Sequence, residues 1–315
     1  MKPVSAYFLV GPTAAGKSAA AHRIALARGF DILSADAMQV YRGMDIGTAK
    51  PTSEEQAAVK YWGIDLVDPA HPFSVAEYLQ AATGVVGRIS AAGRGCIVVG
   101  GSGLYVKGLT HGLTVLPPAD PELRLRVQEL YREGGVAAIR DQLRALRPDL
   151  YDGLPDKRNP RRIMRALELA HLGVPIPASN WKPRGAGPPI PGLLPAREFL
   201  SECIRTRVER MYEQGLVDEV KRLLANGLVD TPTARHAIGY AEAIEFVQGR
   251  ASLEEAMAQT VLRTTRLAKR QLTWFRHQAN VQWILVDRNM DGDTITKSVL
   301  SLWEQYGPTP IASAN

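Results

Sequence analysis

The chain has 315 residues, 45% of them hydrophobic, which is enough for one large domain or two smaller ones. No apolar run approaches the ~18 residues of a membrane-spanning helix, so an integral membrane protein of the helical type is excluded. The formal net charge of +6 is mild, but arginines cluster in two segments, which favours a polyanionic partner. Cys96 and Cys203 lie far apart without metal-ligand spacing and predict a reducing compartment. Because the chain runs directly into its first strand, we expect no signal peptide and a cytoplasmic location.

The first recognisable element is a phosphate-binding loop between a predicted strand and a predicted helix. An apolar run at residues 6–10 precedes Gly11-Pro12-Thr13-Ala14-Ala15-Gly16-Lys17-Ser18, and an alanine-rich helical pattern follows through Arg28. This is the P-loop pattern, in which the backbone wraps an anion and the helix start directs free N–H groups at it. Lys17 would contact a phosphate, and the Ser18 hydroxyl would bind Mg²⁺. The sequence therefore predicts a di- or triphosphate site, and marks the chain as a candidate nucleotide-binding or ATP-binding protein.

A polar loop follows the next predicted strand. That strand covers residues 31–36 and ends in Asp36, and residues 37–51 are too irregular for a helix. Because ligands gather where parallel strands end, Asp36 should face the same crevice as the P-loop. A solvated loop aspartate is the alternative interpretation at this point.

A further buried strand is predicted at residues 95–99, after a helix that Ser74 caps. It ends at a second glycine-rich turn, residues 100–105, which leads into a helix. No carboxylate ends this strand, so the Walker-B acid that binds the Mg²⁺ of an NTPase is missing there. This disfavours an ordinary ATPase.

Strand signals stop between Leu116 and about Pro195. Helices are predicted at 121–132, 135–146 and 160–172, followed by a Pro/Gly-rich stretch. The third helix carries a cluster of arginines: Arg158, Arg161, Arg162 and Arg165. A solvated face and a phosphate-tracking surface both fit this cluster.

The last third of the chain is predicted to be mostly helical. One helix covers residues 200–226, and Ser252 caps a long helix that extends to about His277. The long helix carries four basic residues: Arg263, Arg266, Lys269 and Arg270. Such a stripe fits either a solvated face or a nucleic-acid surface. A last strand is predicted at 281–287, and the tail after Gly307 is predicted to be disordered.

These elements predict an α/β fold, in which a P-loop parallel-sheet core is flanked by helices and carries an all-helical insertion domain. We assign residues 1–115 and 196–315 to the core with its C-terminal helices. Residues 116–195 are assigned to the insertion.

Eight segments together resemble the tRNA dimethylallyltransferases. They are GPTAAGKS at 11–18, SADAMQVYRGMDIGTAKP at 34–51, GGSGLY at 100–105, LPPADPELR at 116–124, NPRRIMRALEL at 159–169, GLVDEVKRLL at 215–224, AIGY at 237–240 and AKRQLTWF at 268–275. They occur in family order, and the second and last are far more specific than the P-loop. Ala37 and Ser102 stand where the family usually has Ser and Thr, and the basic side chain of segment 264–266 is displaced by one position. No C-terminal Cys/His cluster follows, which favours a bacterial-type or organellar member.

The resemblance implies transfer of a dimethylallyl group from dimethylallyl diphosphate to N6 of the adenosine 3′-adjacent to the anticodon, in tRNAs that read codons starting with U. Asp36 would act as the base, while Lys17, Mg²⁺ on Ser18 and an arginine such as Arg207 would stabilise the leaving diphosphate. The implied tRNA contacts are Asp36, Ala37, Met38, Gln39, Ser102, Arg124, Arg161, Ile163, Arg162, Met164, Arg165, Ala237, Ile238, Gly239, Tyr240, Arg263, Arg266, Lys269 and Arg270. The insertion would grip the anticodon stem-loop against the core. We expect a monomer, since no segment of the sequence indicates an oligomer interface.

Three other functions fit part of the sequence. A prenyltransferase of free AMP or ADP would not need the two arginine clusters. A small-molecule P-loop kinase would use Asp36 as the base for a hydroxyl, but the missing Walker-B acid disfavours it. A non-catalytic RNA-binding protein would have no use for Lys17, Ser18 and Asp36 together.

Overall fold

The computed structural model describes residues 4–114, 116–117, 120–154, 156–174, 187–228 and 233–312. The chain divides into two compact units, one of Met1–Leu113 with Lys182–Asn315 and the other of Thr114–Trp181. In the part of the chain that is described, no helix has both the length and the hydropathy needed to cross a membrane.

The first unit is built on a sheet whose six principal strands are all parallel. In spatial order they are β3 (Tyr61–Trp62), β2 (Asp31–Ser34), β4 (Cys96–Gly100), β1 (Ser5–Val10), β5 (Ile190–Pro195) and β6 (Val281–Val286). Every residue of β2 and β4 is buried, as expected for strands covered on both faces. The strands predicted at 31–36, 95–99 and 281–287 are confirmed.

Strand β5 shows that the predicted end of the insertion was wrong. Its six residues pair with β6 from Ile190 opposite Val281 to Pro195 opposite Val286, so they belong to the sheet. The sequence of the segment is IPGLLP, in which two prolines and a glycine interrupt the continuous apolar pattern that predicts the other strands. Residues 175–186 of the predicted Pro/Gly-rich stretch lie outside the described residues.

Helices cover both faces of the sheet, and neighbouring residues of one strand therefore pack in different hydrophobic clusters. Leu9 of β1 packs in a cluster with α1 (Lys17–Arg28) and α12 (Gly292–Tyr306), while Phe8 packs in the cluster of the opposite face. The helices with buried residues in that second cluster are α3 (Val75–Ala91), α4 (Gly103–His111), α8 (Arg197–Glu213), α9 (Leu216–Ala225), α10 (Tyr240–Val247) and α11 (Leu253–Gln278). The remaining described helix of this unit is α2 (Ser53–Ala58), and a short 3₁₀ turn covers Ala234–His236.

Two further predictions for this unit were wrong. The helix predicted at 200–226 is divided into α8 and α9, because Gly215 has a left-handed φ of 97° that ends the first helix. The tail after Gly307 is partly ordered, since β7 (Thr309–Pro310) pairs antiparallel with β1.

The second unit has its own hydrophobic core, and all of its described elements are helices. They are α5 (Pro121–Leu146), which is kinked at Gly135, α6 (Pro148–Asp152) and α7 (Pro160–His171). Its fully buried side chains include Ile139, Leu143, Ile163 and Leu167. The kink lies where the predicted helices 121–132 and 135–146 meet.

Candidate active site

The P-loop connects β1 to α1 at the carboxyl end of a central strand. Gly11, Ala14 and Gly16 have φ values of 141°, 62° and 83°, which turn the backbone around a concave surface. Lys17 begins α1, and its buried Nζ donates a hydrogen bond to the Pro12 carbonyl at 2.6 Å. The predicted helix after the loop is confirmed.

Lys17, Arg207 and Asp36 form one electrostatic cluster. Burial lowers the pKa of Lys17 to about 7, the Arg207 guanidinium lowers it as well, and the Asp36 carboxylate raises it. Burial also lowers the pKa of Arg207, and Asp36 again acts in the opposite direction. The tertiary structure thus brings together the two predicted phosphate-binding cations and the predicted base.

A cleft of about 1010 Å³ opens beside the P-loop. On one side it is lined by Ala14 and Gly16 of the loop and by Arg207 of α8, and on another by Asp45 and Lys50. An anion in this cleft would meet backbone N–H groups and a guanidinium together, the combination that binds phosphates.

The loop after β2 is held against the second glycine-rich turn. The Ala37 N–H donates to the Ser102 hydroxyl at 2.9 Å, and the Ser102 N–H donates to the Ala35 carbonyl at 3.1 Å. Asp36 itself accepts from the Met38 N–H through Oδ1 at 2.8 Å. Four of the predicted tRNA contacts, Asp36, Ala37, Met38 and Ser102, therefore lie in one hydrogen-bonded cluster near the ends of β2 and β4.

The turn at residues 45–47 is anchored by a buried carboxylate. Glu219 of α9 accepts hydrogen bonds from the N–H groups of Asp45 and Ile46 at 3.2 and 3.0 Å. The Tyr240 hydroxyl donates to the same carboxylate at 2.5 Å. Because a buried carboxylate needs such donors, Glu219 and this turn stabilise each other.

The end of the same loop is anchored by a buried lysine. The Lys50 Nζ donates to the Tyr41 carbonyl at 2.6 Å and to the carboxylates of Asp45 at 2.7 Å and Asp65 at 2.5 Å. The predicted tRNA-binding residue Gln39 also bonds within the loop, because its amide donates to the carbonyl of Thr48 at 3.2 Å. The loop that carries Asp36 is thus fixed along its length.

Two predicted tRNA contacts have fully buried side chains. Ile163 packs in the core of the second unit, and Tyr240 packs in the core of the first. Among the other apolar positions, Ala237 is buried, whereas Met164 and Ile238 are half-buried. The Gly239 N–H donates to Glu242 at 2.7 Å. Any effect of Ile163 and Tyr240 on RNA must therefore pass through the elements that they hold in place.

Three of the predicted arginines are ion-paired with buried glutamates. Arg263 pairs with Glu242 and also donates to the His236 carbonyl at 3.0 Å. Arg124 and Arg165 share Glu168, at 3.3 and 2.9 Å. These cations compensate buried charge, which makes them part of the scaffold.

The other predicted cations are exposed. They are Arg161 and Arg162 in the second unit and Arg266, Lys269 and Arg270 in the first. Within the described ranges their side chains have no hydrogen-bond or ion-pair partner. Each unit therefore presents free positive charge to a polyanion.

Residues 39–278 match the family model described as IPP transferase. The chain belongs to the IPP transferase family. The tRNA dimethylallyltransferase of Myxococcus xanthus is 42% identical over 276 residues, which cover 86% of this chain and 89% of the relative. The solved tRNA isopentenylpyrophosphate transferase of Bacillus halodurans is 35% identical, with a TM-score of 0.70 and coverage of 96% of both chains. A eukaryotic dimethylallyltransferase acting on tRNA, 19% identical with a TM-score of 0.70, shares the fold.

Sequence reasoning missed three residues that organise the site of this IPP transferase family member. Lys50 and Glu219 anchor the loop after β2, and Gln271 of α11 accepts a hydrogen bond from the Thr13 N–H at 2.8 Å. All three lie in segments that carry the family resemblance. Alone, each would be interpreted as a solvated side chain, because its polar partners are brought to it by the fold and no local pattern indicates them.

We expect Glu219→Gln to lower the free energy of unfolding by about 1–3 kcal/mol, because the uncharged amide has a single acceptor oxygen for the donors that face it. Urea denaturation measures this change, and limited proteolysis should show faster cleavage at residues 42–50. The matched control is Asp218→Asn, an exposed neighbour on the same helix, which should change stability by less than about 0.5 kcal/mol. Equal stability of the two variants would contradict the anchoring role.

The pKa of Lys17 predicts that binding of inorganic diphosphate weakens as the pH rises. Below pH 7 the Lys17 amine is mostly charged. Above pH 7 it is mostly neutral, so binding of the anion requires that the amine take up a proton. This requirement lowers the affinity about tenfold for each further pH unit. Calorimetric titration at pH 6, 7 and 8 measures the slope. In Lys17→Arg the side chain stays charged, so its affinity should fall less as the pH rises; ionisation of the diphosphate affects both proteins equally. The same dependence of affinity on pH in the wild type and the variant would contradict the prediction.

Proposed function

We propose that this chain transfers the dimethylallyl group of dimethylallyl diphosphate to N6 of the adenosine 3′-adjacent to the anticodon, in tRNAs that read codons starting with U. The observation that carries the proposal is the cluster of Lys17, Arg207 and Asp36, in which the candidate base lies close enough to both cations to raise their pKa values. The Myxococcus relative is named a tRNA dimethylallyltransferase, and the Bacillus structure is that of a tRNA isopentenylpyrophosphate transferase. Free AMP and a kinase substrate are not favoured by these names.

The P-loop would hold the diphosphate as a leaving group. As the allylic C–O bond breaks, negative charge grows on the diphosphate, and Lys17, Arg207 and the backbone N–H groups of the loop would stabilise it. The Thr13 N–H already donates to Gln271, so the amides free for the phosphates begin at Ala14. Strand β4 ends at Gly100 without a carboxylate, which agrees with a loop that binds a diphosphate and cleaves no NTP.

Ser18 is the residue that would hold Mg²⁺. Its side chain is exposed in the first turn of α1, beside the phosphate cradle. The described residues contain no group of three His, Cys, Asp or Glu side chains that could enclose a metal ion. Mg²⁺ commonly takes one or two protein ligands and completes its shell with phosphate and water, so a single hydroxyl fits this chemistry. When bound, the ion would neutralise charge on the diphosphate oxygens.

Asp36 would take the proton of the acceptor. The lone pair of the adenine N6 amine is delocalised into the ring, so the amine becomes a nucleophile only as a base removes a proton. As N6 forms its bond to the allylic carbon, the proton would pass to the Asp36 carboxylate and the diphosphate would leave. Since the target is a base of the anticodon loop, it must leave its stack to reach the crevice. Ser102 and Ala37 would fix the position of Asp36.

The exposed cations of both units would bind the tRNA phosphates. Among the residues that the structure describes, Arg124, Arg165 and Arg263 pair with glutamates, whereas Arg161, Arg162, Arg266, Lys269 and Arg270 have no ion-pair partner and could take this role. We place the enzyme in the cytoplasm as a monomer. Its free thiols, Cys96 and Cys203, agree with a reducing compartment.

The first experiment incubates unmodified tRNA with labelled dimethylallyl diphosphate and Mg²⁺, followed by nucleoside analysis. We expect label on adenine N6 with the wild type, and a rate lower by about 10²–10⁴-fold with Asp36→Asn, because the base is lost while the shape is kept. Retained tRNA binding by the variant is the control. In a parallel reaction with AMP in place of tRNA, label on AMP combined with none on tRNA would make AMP the acceptor, and no label on either would contradict the prenyl transfer.

We expect Arg162→Ala to weaken tRNA binding and to reduce the dependence of log K on log salt by about one phosphate contact, because an exposed guanidinium would be lost. Filter binding at several salt concentrations measures this. Arg126→Ala removes an exposed arginine of the same unit that lies outside the predicted contacts, and it should change neither quantity. Binding of inorganic diphosphate should be the same in both variants. Equal tRNA affinity and salt slope in the two variants would overturn the assignment.

A further inference from the structure

One side chain of α11 connects two loops of the candidate active site. The Gln271 Oε1 accepts a hydrogen bond from the Thr13 N–H of the P-loop at 2.8 Å. Its Nε2 donates to the Gly101 carbonyl of the second glycine-rich turn at 3.1 Å. A single half-buried amide therefore joins the end of β1 to the end of β4.

The contact between α11 and the second turn is close. A Cβ atom at Gly101 would lie 2.3 Å from the Gln271 Nε2, and one at Gly103 would lie 2.3 Å from the ring of Trp274. Gln271 and Trp274 are three residues apart on the helix and so share a face. The lack of a side chain lets the turn pack closely against this face, and at Gly103 the Trp274 ring leaves no room for a Cβ atom, so α11 fixes the position of the turn.

The second turn in turn positions the loop that carries Asp36. The Ser102 hydroxyl accepts from the Ala37 N–H at 2.9 Å, and the Ser102 N–H donates to the Ala35 carbonyl at 3.1 Å. The chain of contacts thus runs from the P-loop through Gln271 and the second turn to the candidate base.

Other faces of the same helix carry exposed positive charge. Arg266, Lys269 and Arg270 are exposed and lie 100° or more around the helix from Gln271. A polyanion bound to these cations would fix the helix whose Gln271 face holds both loops. The helix thus contacts the candidate phosphate site through Gln271, and its exposed side carries the cations to which the proposed RNA would bind.

We propose that Gln271 is a positioning residue that couples tRNA binding on α11 to diphosphate binding in the P-loop. This inference rests on the proposed function. RNA held by the exposed cations fixes α11, and the Gln271 amide then holds Thr13 and Gly101 in the spacing that the diphosphate and Asp36 need. Because coupling between two sites is reciprocal, the bound diphosphate also strengthens RNA binding.

The test measures the dissociation constant of inorganic diphosphate, with Mg²⁺, in the absence and the presence of an unmodified anticodon stem-loop RNA. We expect the RNA to tighten diphosphate binding to the wild-type protein by at least about fivefold. In Gln271→Leu, which keeps the size but loses both hydrogen bonds, this ratio should fall to about one while the RNA affinity changes less than about twofold. The rate of prenyl transfer should fall as well.

The matched control is Gln259→Leu, the same change at an exposed position of the same helix, which should keep the wild-type ratio. Gln271→Asn is a second variant, because its shorter side chain cannot reach both Thr13 and Gly101. It replaces Gln271→Leu in the test if that variant does not fold. A purely structural role would lower the melting temperature and leave the ratio unchanged. An unchanged ratio in both Gln271 variants, or a wild-type ratio of one, would overturn the coupling.

Failure of the proposed function has a different signature. A wild-type protein that neither binds the stem-loop RNA nor prenylates tRNA would contradict the proposed function, and the coupling with it. A wild-type protein that does both, with a ratio that Gln271→Leu leaves unchanged, contradicts the coupling alone.

Discussion

The placement of a buried lysine and a half-buried arginine beside one carboxylate is the constraint on which this structure depends. Lys17 and Arg207 come from different elements; burial lowers the pKa of both, Arg207 lowers that of Lys17 further, and Asp36 raises both. A site of this kind is poised for an anion, since a bound phosphate would compensate both cations at once. The parallel sheet makes the arrangement possible, because it ends β1, β2 and β4 at the same edge.

Around this cluster, buried glutamates hold the surrounding elements. Glu219 accepts from the backbone of the loop after β2, and Glu242 accepts from the Gly239 N–H and pairs with Arg263. In the second unit the buried Glu168 joins two helices in a similar way, because it pairs with Arg124 of α5 and Arg165 of α7. Since a buried carboxylate left without partners is costly, each of these residues fixes the spacing of the segments that it joins. Preorganised loops of this kind are what an electrostatic leaving-group site requires.

The arginine clusters show how tertiary contacts divide residues that look alike in the sequence. Arg162 and Arg165 are one helical turn apart, but Arg165 compensates Glu168 whereas Arg162 is exposed. Arg263 and Arg266 differ in the same way. Helical spacing predicts a shared face, yet it cannot tell which cation meets a buried carboxylate, because that partner is supplied by packing. Ile163 and Tyr240 show the same limit for apolar and aromatic residues.

The sequence alone determined the P-loop, strands β2, β4 and β6, the helical second unit and the position of Asp36 at a strand end. These features follow from local patterns, since glycine spacing, apolar runs and caps act over a few residues. Only the tertiary structure decided that Ile190–Pro195 joins the sheet, that Gly215 divides a helix and that Gln271 reaches Thr13, 258 residues away in the chain. Such contacts depend on which surfaces meet when the core packs. These contacts stabilise the protein only once the chain is folded, so they cannot be predicted from local sequence propensity.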